Sequence, residues 1–384
     1  MNECANKNPI KELNRLGQSV WFDQIGRDLI NSGEISRLVD IGVSGLTSNP
    51  TIFEKAISTS AEYDSDLLTL FQEGKEIFEI FESITIHDIK AAADLLRPTF
   101  DTTRGEDGFA SYEVNPHLAH DTEGTIREAK RLHSIIGRPN VMIKVPATPE
   151  GVLAIRSLIG QGVNVNVTLI FSLETYKDVR NAYIDGLDIY HGEGGDLSKV
   201  SSVASFFVSR VDTKVDSEIE NRLVGGNTDL RFLHGKAAVC NAKIAYRDFR
   251  ETFWGAEFQK MKNRCAKVQR PLWASTSTKN PSLSDVLYVD NLIGANTVNT
   301  MPELTLKAFL DHGCVEETIS QNLEQVVENL EILEKNGINM VDITSKLLLD
   351  GLDAFKNSYD AALNNIRAKK SKLLVSEQVS PLND

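Results

Sequence analysis

The sequence predicts a closed (β/α)8 barrel, the TIM barrel, and three observations predict it. Short β-rich runs recur along the chain, they alternate with longer segments of helical period, and no GxGxxG or GxxxxGKS/T loop marks an open doubly wound sheet. Alternating strands and helices demand parallel pairing, and eight repeats of the unit suit a closed barrel better than an open sheet.

The strands are expected in order at Ser19–Asp23, Val43–Ser48, Phe109–Val114, Val141–Pro146, Val163–Ile170, Ser202–Val208, Pro271–Ser275 and Asn296–Thr300, the last with the weakest pattern. Between them, the segment DIKAAADLLRP reads as a helix stopping at Pro98. In the next helix Ile126, Ala129, Leu132 and Ile136 recur at helical spacing before Gly137 and Pro139 end it. Residues 53–87 and 212–262 are longer than one crossover requires and are assigned extra helices. From Pro302 to about Lys372 the pattern is helical, with Leu323, Val326, Val327, Leu330 and Leu333 in an apolar stripe, and these helices are expected to close over the barrel. Residues 1–374 are thus expected as one barrel domain with helical insertions and C-terminal helices, and residues 375–384 as a frayed tail. Residues 219–239 have turn-like composition and suggest no function.

With 41% apolar and 25% charged residues the composition is that of a soluble globular protein. A net charge of −13 argues against nucleic acid or an anionic membrane as partner, so an anionic substrate would need a local basic site. The start MNECANKNPIKEL lacks the basic and apolar regions of a secretory signal and no run is long enough to span a membrane, which makes the cytoplasm the expected location. Cys4, Cys240, Cys265 and Cys314 have no CxxC spacing and read as reduced thiols. None of the seven histidines pairs with another at ligand spacing on a predicted helix; His117 and His120 fall in a loop, and no metal site is expected.

Chemistry is concentrated in the strands. Strands of a parallel barrel are buried on both faces and should be nearly free of polar residues, yet here they carry them. Because side chains alternate along a strand, Lys144 shares a face with Met142, Glu113 with Ser111, Thr168 with Asn166, Asn49 with Thr47 and Ser205 with Phe207. Asp23 lies on the first strand, and Ser275 and Ser277 follow the seventh. Each polar set falls toward the C-terminal end of its strand, where the chemistry of such barrels is found.

Two readings of Lys144 are open from VMIKVPATPEG: a lysine that snorkels to the surface, or a buried amine able to attack a carbonyl and form a Schiff base. Singly, the other residues also have structural readings: Asn49 as a helix cap, Ser and Thr bonded to neighbouring carbonyls, Arg210 paired with Asp212. Jointly these readings weaken, because a core seldom buries a lysine, a glutamate and an aspartate unless they are paired or working. A structural ion-pair cluster stays open.

GLTSNPTIF at Gly45–Phe53 and IKVPATPEG at Ile143–Gly151, with weaker matches over nearly the whole chain, resemble the transaldolases of the longer bacterial branch. The resemblance implies a class I aldolase-like barrel in the non-oxidative pentose phosphate pathway. Such an enzyme transfers a dihydroxyacetone unit from sedoheptulose 7-phosphate or fructose 6-phosphate to glyceraldehyde 3-phosphate or erythrose 4-phosphate. It implies Lys144 as Schiff-base residue, Asp23 as acid/base at the bond that breaks, and Glu113 as proton shuttle through a water held by Thr168. Asn49, Asn166 and Ser205 would hold donor hydroxyls, Phe207 would line the cup, and Arg210 would take the phosphate. The iminium replaces a metal or organic cofactor, and a monomer or homodimer is implied. Many transaldolases read SPFVGR and ASFR where this chain has SFFVSR and ASTS, so a second phosphate-binding arginine is missing beside Ser275. Lys279 is the expected substitute. A fructose 6-phosphate aldolase, a pyridoxal-phosphate enzyme without its phosphate loop, and a noncatalytic sugar-phosphate sensor are the alternatives.

Overall fold

The branched residues of the predicted runs form the staves of a closed barrel. The computed structural model describes residues 8–224 and 230–378. Its strands are β1 Gln18–Phe22, β2 Gly45–Thr47, β3 Phe109–Glu113, β4 Val141–Pro146, β5 Val165–Ile170, β6 Ser202–Phe207, β7 Arg270–Ala274 and β8 Thr297–Met301. They are joined in sequence order, and β8 pairs with β1 to close the ring. All eight expected strands are present. The eighth is shifted by one residue, since Asn296 adopts a left-handed φ of 59° and donates its N–H to Gly17 O in the turn before it.

Val141, Ile143 and Val145 alternate with Met142 and Lys144 along β4, and every one of them is buried. The apolar set faces the surrounding helices, where each buried Val or Ile contributes about 1.5–3 kcal/mol. That packing holds the staves and leaves the inward face free to carry polar groups whose burial costs several kcal/mol each. At the N-terminal end of the barrel, Asp107 accepts from Trp21 Nε1 at 2.8 Å, and Trp21 lies flat over Gly45. A Cβ on Gly45 would sit 2.5 Å from the indole, so the first residue of the GLTSNP run is fixed by packing against β1.

The long insertions are helical as expected: Pro50–Thr59, Asp64–Gln72 and Ile77–Thr102 in the first, Ser209–Val224, Ala237–Phe253 and Ala256–Lys262 in the second. Pro98 does not stop its helix, which runs on to Thr102. It sits close enough to the end that Thr102 Oγ1 and Thr103 Oγ1 can donate to the last-turn carbonyls of Pro98 and Thr99 at 2.6 and 2.8 Å. Gly137, with φ 59°, ends the Thr122–Ile136 helix as expected. The supposedly turn-like stretch is largely ordered differently: residues 219–224 belong to a helix, a 3-10 turn covers Arg231–Leu233, and 225–229 lie outside the described residues, as does Cys4. The last helix, Met340–Gln378, continues past the expected tail boundary at residue 375, and 379–384 lie outside the described residues. No described helix is long and apolar enough to cross a membrane.

Asp212, on the Ser209–Val224 helix, does not pair with Arg210. It accepts from Ala238 N at 2.7 Å and Tyr288 Oη at 2.9 Å, and so caps the Ala237–Phe253 helix from within the core. Burial pushes its carboxyl up to about 7. The folded state therefore holds a proton that the unfolded state, near the ordinary value of 3.8, has released. Stability from this group is complete at low pH and is lost as pH rises through about 7. Asp212→Asn mimics the protonated form, and in urea unfolding its stability relative to wild type is expected to rise by about 1–3 kcal/mol between pH 5 and pH 8.5. An equal difference at both pH values would mean that Asp212 does not titrate in this window.

Candidate active site

Parallel register brings the polar residues to one level. Glu113 on β3 lies beside Lys144 on β4, and Lys144 beside Asn166 on β5, all three pointing inward. Lys144 is 4% exposed, so it does not snorkel. Its Nζ donates to the main-chain carbonyl of Ser48 at 3.0 Å, stands 3.5 Å from Glu113 Oε2, and lies 5.7 Å from the centre of the Phe355 ring. Burial raises the Glu113 carboxyl to about 7 against the pull of Lys144. At neutral pH it is poised to give or take a proton.

Asp23 follows β1 directly and faces Lys144 from the other side of the cup. Its Oδ1 accepts from Thr47 Oγ1 at 2.6 Å, and Thr47 is in turn bonded to Thr300 at 2.7 Å. Burial raises the Asp23 carboxyl too, while Lys144, Thr47, Arg210 and Lys279 all pull it back. Two carboxyls thus flank one amine, each biased toward its neutral form by loss of water.

Beneath the amine, Ser205 Oγ donates to Asn166 Oδ1 at 2.7 Å and Asn166 Nδ2 donates to Ser111 Oγ at 3.0 Å, a buried chain across β6, β5 and β3. Among the described residues Thr168 Oγ1 and Glu113 Oε2, both buried, have no hydrogen-bond partner, unusual for polar atoms so placed. Thr168 stands at an irregularity: the β5–β6 register slips between Val167 and Ile170, and Leu169 adopts φ 60°. Strain of this kind in a non-glycine residue is typical of functional sites. Asn49 is a cap as well as a lining residue, since its Oδ1 accepts from Ile52 N at 3.0 Å at the start of the Pro50–Thr59 helix.

The cup opens as a cavity of about 150 Å³. Asp23, Thr47, Asn49, Lys144, Thr168 and Ser205 form its floor and walls, Phe207 and Phe355 its aromatic sides, and Arg210, Ser275, Ser277 and Lys279 its rim. Arg210 stacks on Phe207 with its guanidinium carbon 5.5 Å from the ring centre, and among the described residues it has no carboxylate partner. Ser275 is held with φ 58° and its Oγ is 2.9 Å from Ser209 Oγ; Lys279 Nζ donates to Ser277 Oγ at 2.5 Å and is exposed. A larger cleft, about 630 Å³, lies outside the barrel beside Leu153, Asp178 and Leu348, but its charged groups are ordinary exposed ones such as the Arg156–Asp185 pair, 3.4 Å apart. Chemistry, not size, selects the smaller cavity.

All the residues proposed from sequence therefore converge on this mouth, with Asn166 just below it and Glu113 behind Lys144. The sequence grouped Thr47 and Ser111 with the inward polar residues without giving them a role, and it left out Thr300; in the structure Thr47 and Thr300 orient Asp23, and Ser111 holds Asn166. It also left out the Ser48 carbonyl, which carries no side-chain signal, and Phe355. Nothing local could have found Phe355, which lies on the last helix. Among the described residues no three His, Cys, Asp or Glu are grouped to hold a metal ion.

A (β/α)8 barrel with a buried lysine between two buried carboxyls at the C-terminal ends of its strands defines a protein of the class I aldolase type. Residues 20–366 match the Transaldolase/Fructose-6-phosphate aldolase family model, and the chain belongs to that family. It is 44% identical to a transaldolase of Trichodesmium erythraeum over 95% of this chain and 98% of that one. It is 46% identical to a transaldolase of Acidothermus cellulolyticus over 91% and 94% of the two chains, and 42% identical to transaldolase 2 of a Nostoc species over 94% and 97%.

The Thr47 bond favours the charged form of Asp23, so Thr47→Val should raise the carboxyl further and thin out the carboxylate on the acid side. The acid limb of the kcat/KM profile is expected to move up by about 0.5–1 pH unit. An unmoved limb would mean that Asp23 does not carry it.

Proposed function

We propose that the protein is a transaldolase, moving a dihydroxyacetone unit between sugar phosphates in the non-oxidative pentose phosphate pathway. The observation that carries this is the buried Lys144 amine, 3.5 Å from one carboxyl and faced by another, under a rim bearing an arginine with no carboxylate partner among the described residues. In the proposed reaction the Lys144 amine gives up its proton to Glu113 and attacks C2 of a ketose phosphate. Glu113 returns the proton to the carbinolamine hydroxyl, which leaves as water, by way of a water bound to Thr168. The protonated imine then withdraws electrons, Asp23 takes the C4 hydroxyl proton, and the C3–C4 bond breaks. The aldose phosphate departs and the dihydroxyacetone enamine stays on Lys144. A second aldose phosphate captures it by the reverse steps.

Asn49, Asn166 and Ser205 are assigned to the donor hydroxyls, directly or through the buried Ser205–Asn166–Ser111 chain, and Phe207 to the apolar wall. Arg210 and Lys279 are assigned to the phosphate. In so acidic a protein a dianion is drawn to the mouth by those local cations. All the assigned residues come from one chain, so a monomer or a homodimer suffices. Free phosphorylated sugars as substrates favour a cytoplasmic enzyme.

Borohydride trapping with fructose 6-phosphate, read by mass spectrometry, tests the reading. A dihydroxyacetone-sized adduct is expected on Lys144 and none in Lys144→Ala, with sedoheptulose 7-phosphate formed only when erythrose 4-phosphate is present. Free dihydroxyacetone without transfer would mean an aldolase, and no adduct would leave a sugar-phosphate sensor. Arg210→Ala is expected to raise KM for fructose 6-phosphate by about 100-fold and Lys279→Ala by about 5-fold, in line with the loss of charge-assisted bonds of unequal burial. An unchanged KM in Lys279→Ala would remove that residue from the phosphate site.

A further inference from the structure

The last helix crosses the mouth with a stripe at four-residue spacing: Leu347, Gly351, Phe355 and Tyr359. Gly351 permits the approach. A Cβ there would lie 3.0 Å from Leu169 Cδ2 and 3.5 Å from Arg210 Nη1, so the helix descends onto the rim as far as a backbone hydrogen allows. One turn further on, Phe355 is 4% exposed and its ring covers the Lys144 amine.

The helix is fastened where it crosses. Ser358 bonds Thr51 at 2.8 Å and Asn365 bonds Glu54 at 2.8 Å, both on the helix that Asn49 caps. Asp360 meets His117 at 2.9 Å in the turn after Glu113. The roof is thereby registered to the same two loops that carry cup residues.

We propose that Phe355 is a specificity-determining residue that keeps water from the enamine on Lys144 and so fixes the ratio of transfer to hydrolytic release; this rests on the Schiff-base reading above. Release requires a proton to add at C3 of the enamine and stay there, water to add at C2 of the resulting iminium with loss of one of the water's protons, and the C2–Nζ bond to break as the remaining hydroxyl proton passes to Nζ. Free dihydroxyacetone and the lysine amine are the products, with one water consumed. A water held in place needs two to four polar partners. The cup floor offers them at Glu113, Asp23 and Thr168, where the proton-carrying water is assigned, but the ring over the amine offers none, so no second water is held against C2 on that side. An aldose phosphate, steered by Arg210 and Lys279, is held at the rim by its phosphate beside the ring.

Phe355→Ala and Phe355→Leu test this. Dihydroxyacetone release from fructose 6-phosphate without acceptor is compared with transfer to erythrose 4-phosphate, and borohydride trapping on Lys144 is run on each protein. The release-to-transfer ratio is expected to rise about tenfold in Phe355→Ala and by a smaller factor in Phe355→Leu, which keeps apolar bulk, with the Lys144 adduct formed in both. A ratio within twofold of wild type in Phe355→Ala, with the adduct still forming, would overturn the proposal and leave the Schiff-base reading intact. So would an equal fall in both rates. If Phe355→Ala does not fold, the Phe355→Leu ratio decides in the same way. Absence of an adduct in wild type would instead remove the reading on which the proposal stands.

Discussion

An amine and a carboxyl lie side by side inside the barrel, Lys144 on β4 and Glu113 on β3, and the rest of the mouth is arranged around that fact. Neither group could be held there by attraction alone, because the loss of hydration on each is of the order of several kcal/mol and an ion pair in the interior often fails to recover it. The outward faces of the staves supply the compensating stability: Val141, Ile143 and Val145 on β4, Val165 and Val167 on β5, all fully buried. Parallel register then places the charged residues opposite each other whether or not they attract. What the pair gains from its neighbours is definition. The Ser48 carbonyl fixes the amine, and the Phe355 ring covers it.

The two carboxyls show how one environment yields different behaviour. Burial raises both, yet Asp23 receives a hydrogen bond from Thr47 that favours its charged form, whereas Glu113 has only the lysine to offset the loss of water. Glu113 therefore sits near neutrality, suited to passing a proton in either direction, and Asp23 is the stronger candidate for a base. The cations are separated within one cavity: Lys144 lies at the bottom of the cup, and Arg210 and Lys279 stand at the rim.

The helices added to the barrel have separate duties. Asp212 ties the Ser209–Val224 helix, which carries Arg210 in its first turn, to the start of the Ala237–Phe253 helix and to Tyr288, so the Arg210 side of the mouth is braced from behind by a buried hydrogen-bonded acid. The last helix is bound to the Pro50–Thr59 helix by polar pairs at its exposed edge and by its apolar stripe below, and it forms the upper wall of the cavity. Closing the mouth in this way leaves a space of about 150 Å³, small enough that a change of one aromatic side chain alters what fits beside the amine.

The sequence by itself determined the barrel, because alternation of strand and helix and the period-two placement of polar residues are local patterns that survive without knowledge of the fold. It also determined which strand residues point inward together, and so the grouping of Lys144, Glu113, Thr168 and Asn166. Local signals misjudged Pro98, where capping threonines beyond the proline sustain the helix, and the 219–239 stretch, where helix-breaking composition lies only in its middle. Only the tertiary structure decided that Arg210 is free of Asp212, that Thr47 and Thr300 hold Asp23, and that Phe355 roofs the lysine. Each of these depends on contacts between segments far apart in the chain, whose distance and orientation are set by closure of the ring and by how closely Gly351 lets the last helix approach it.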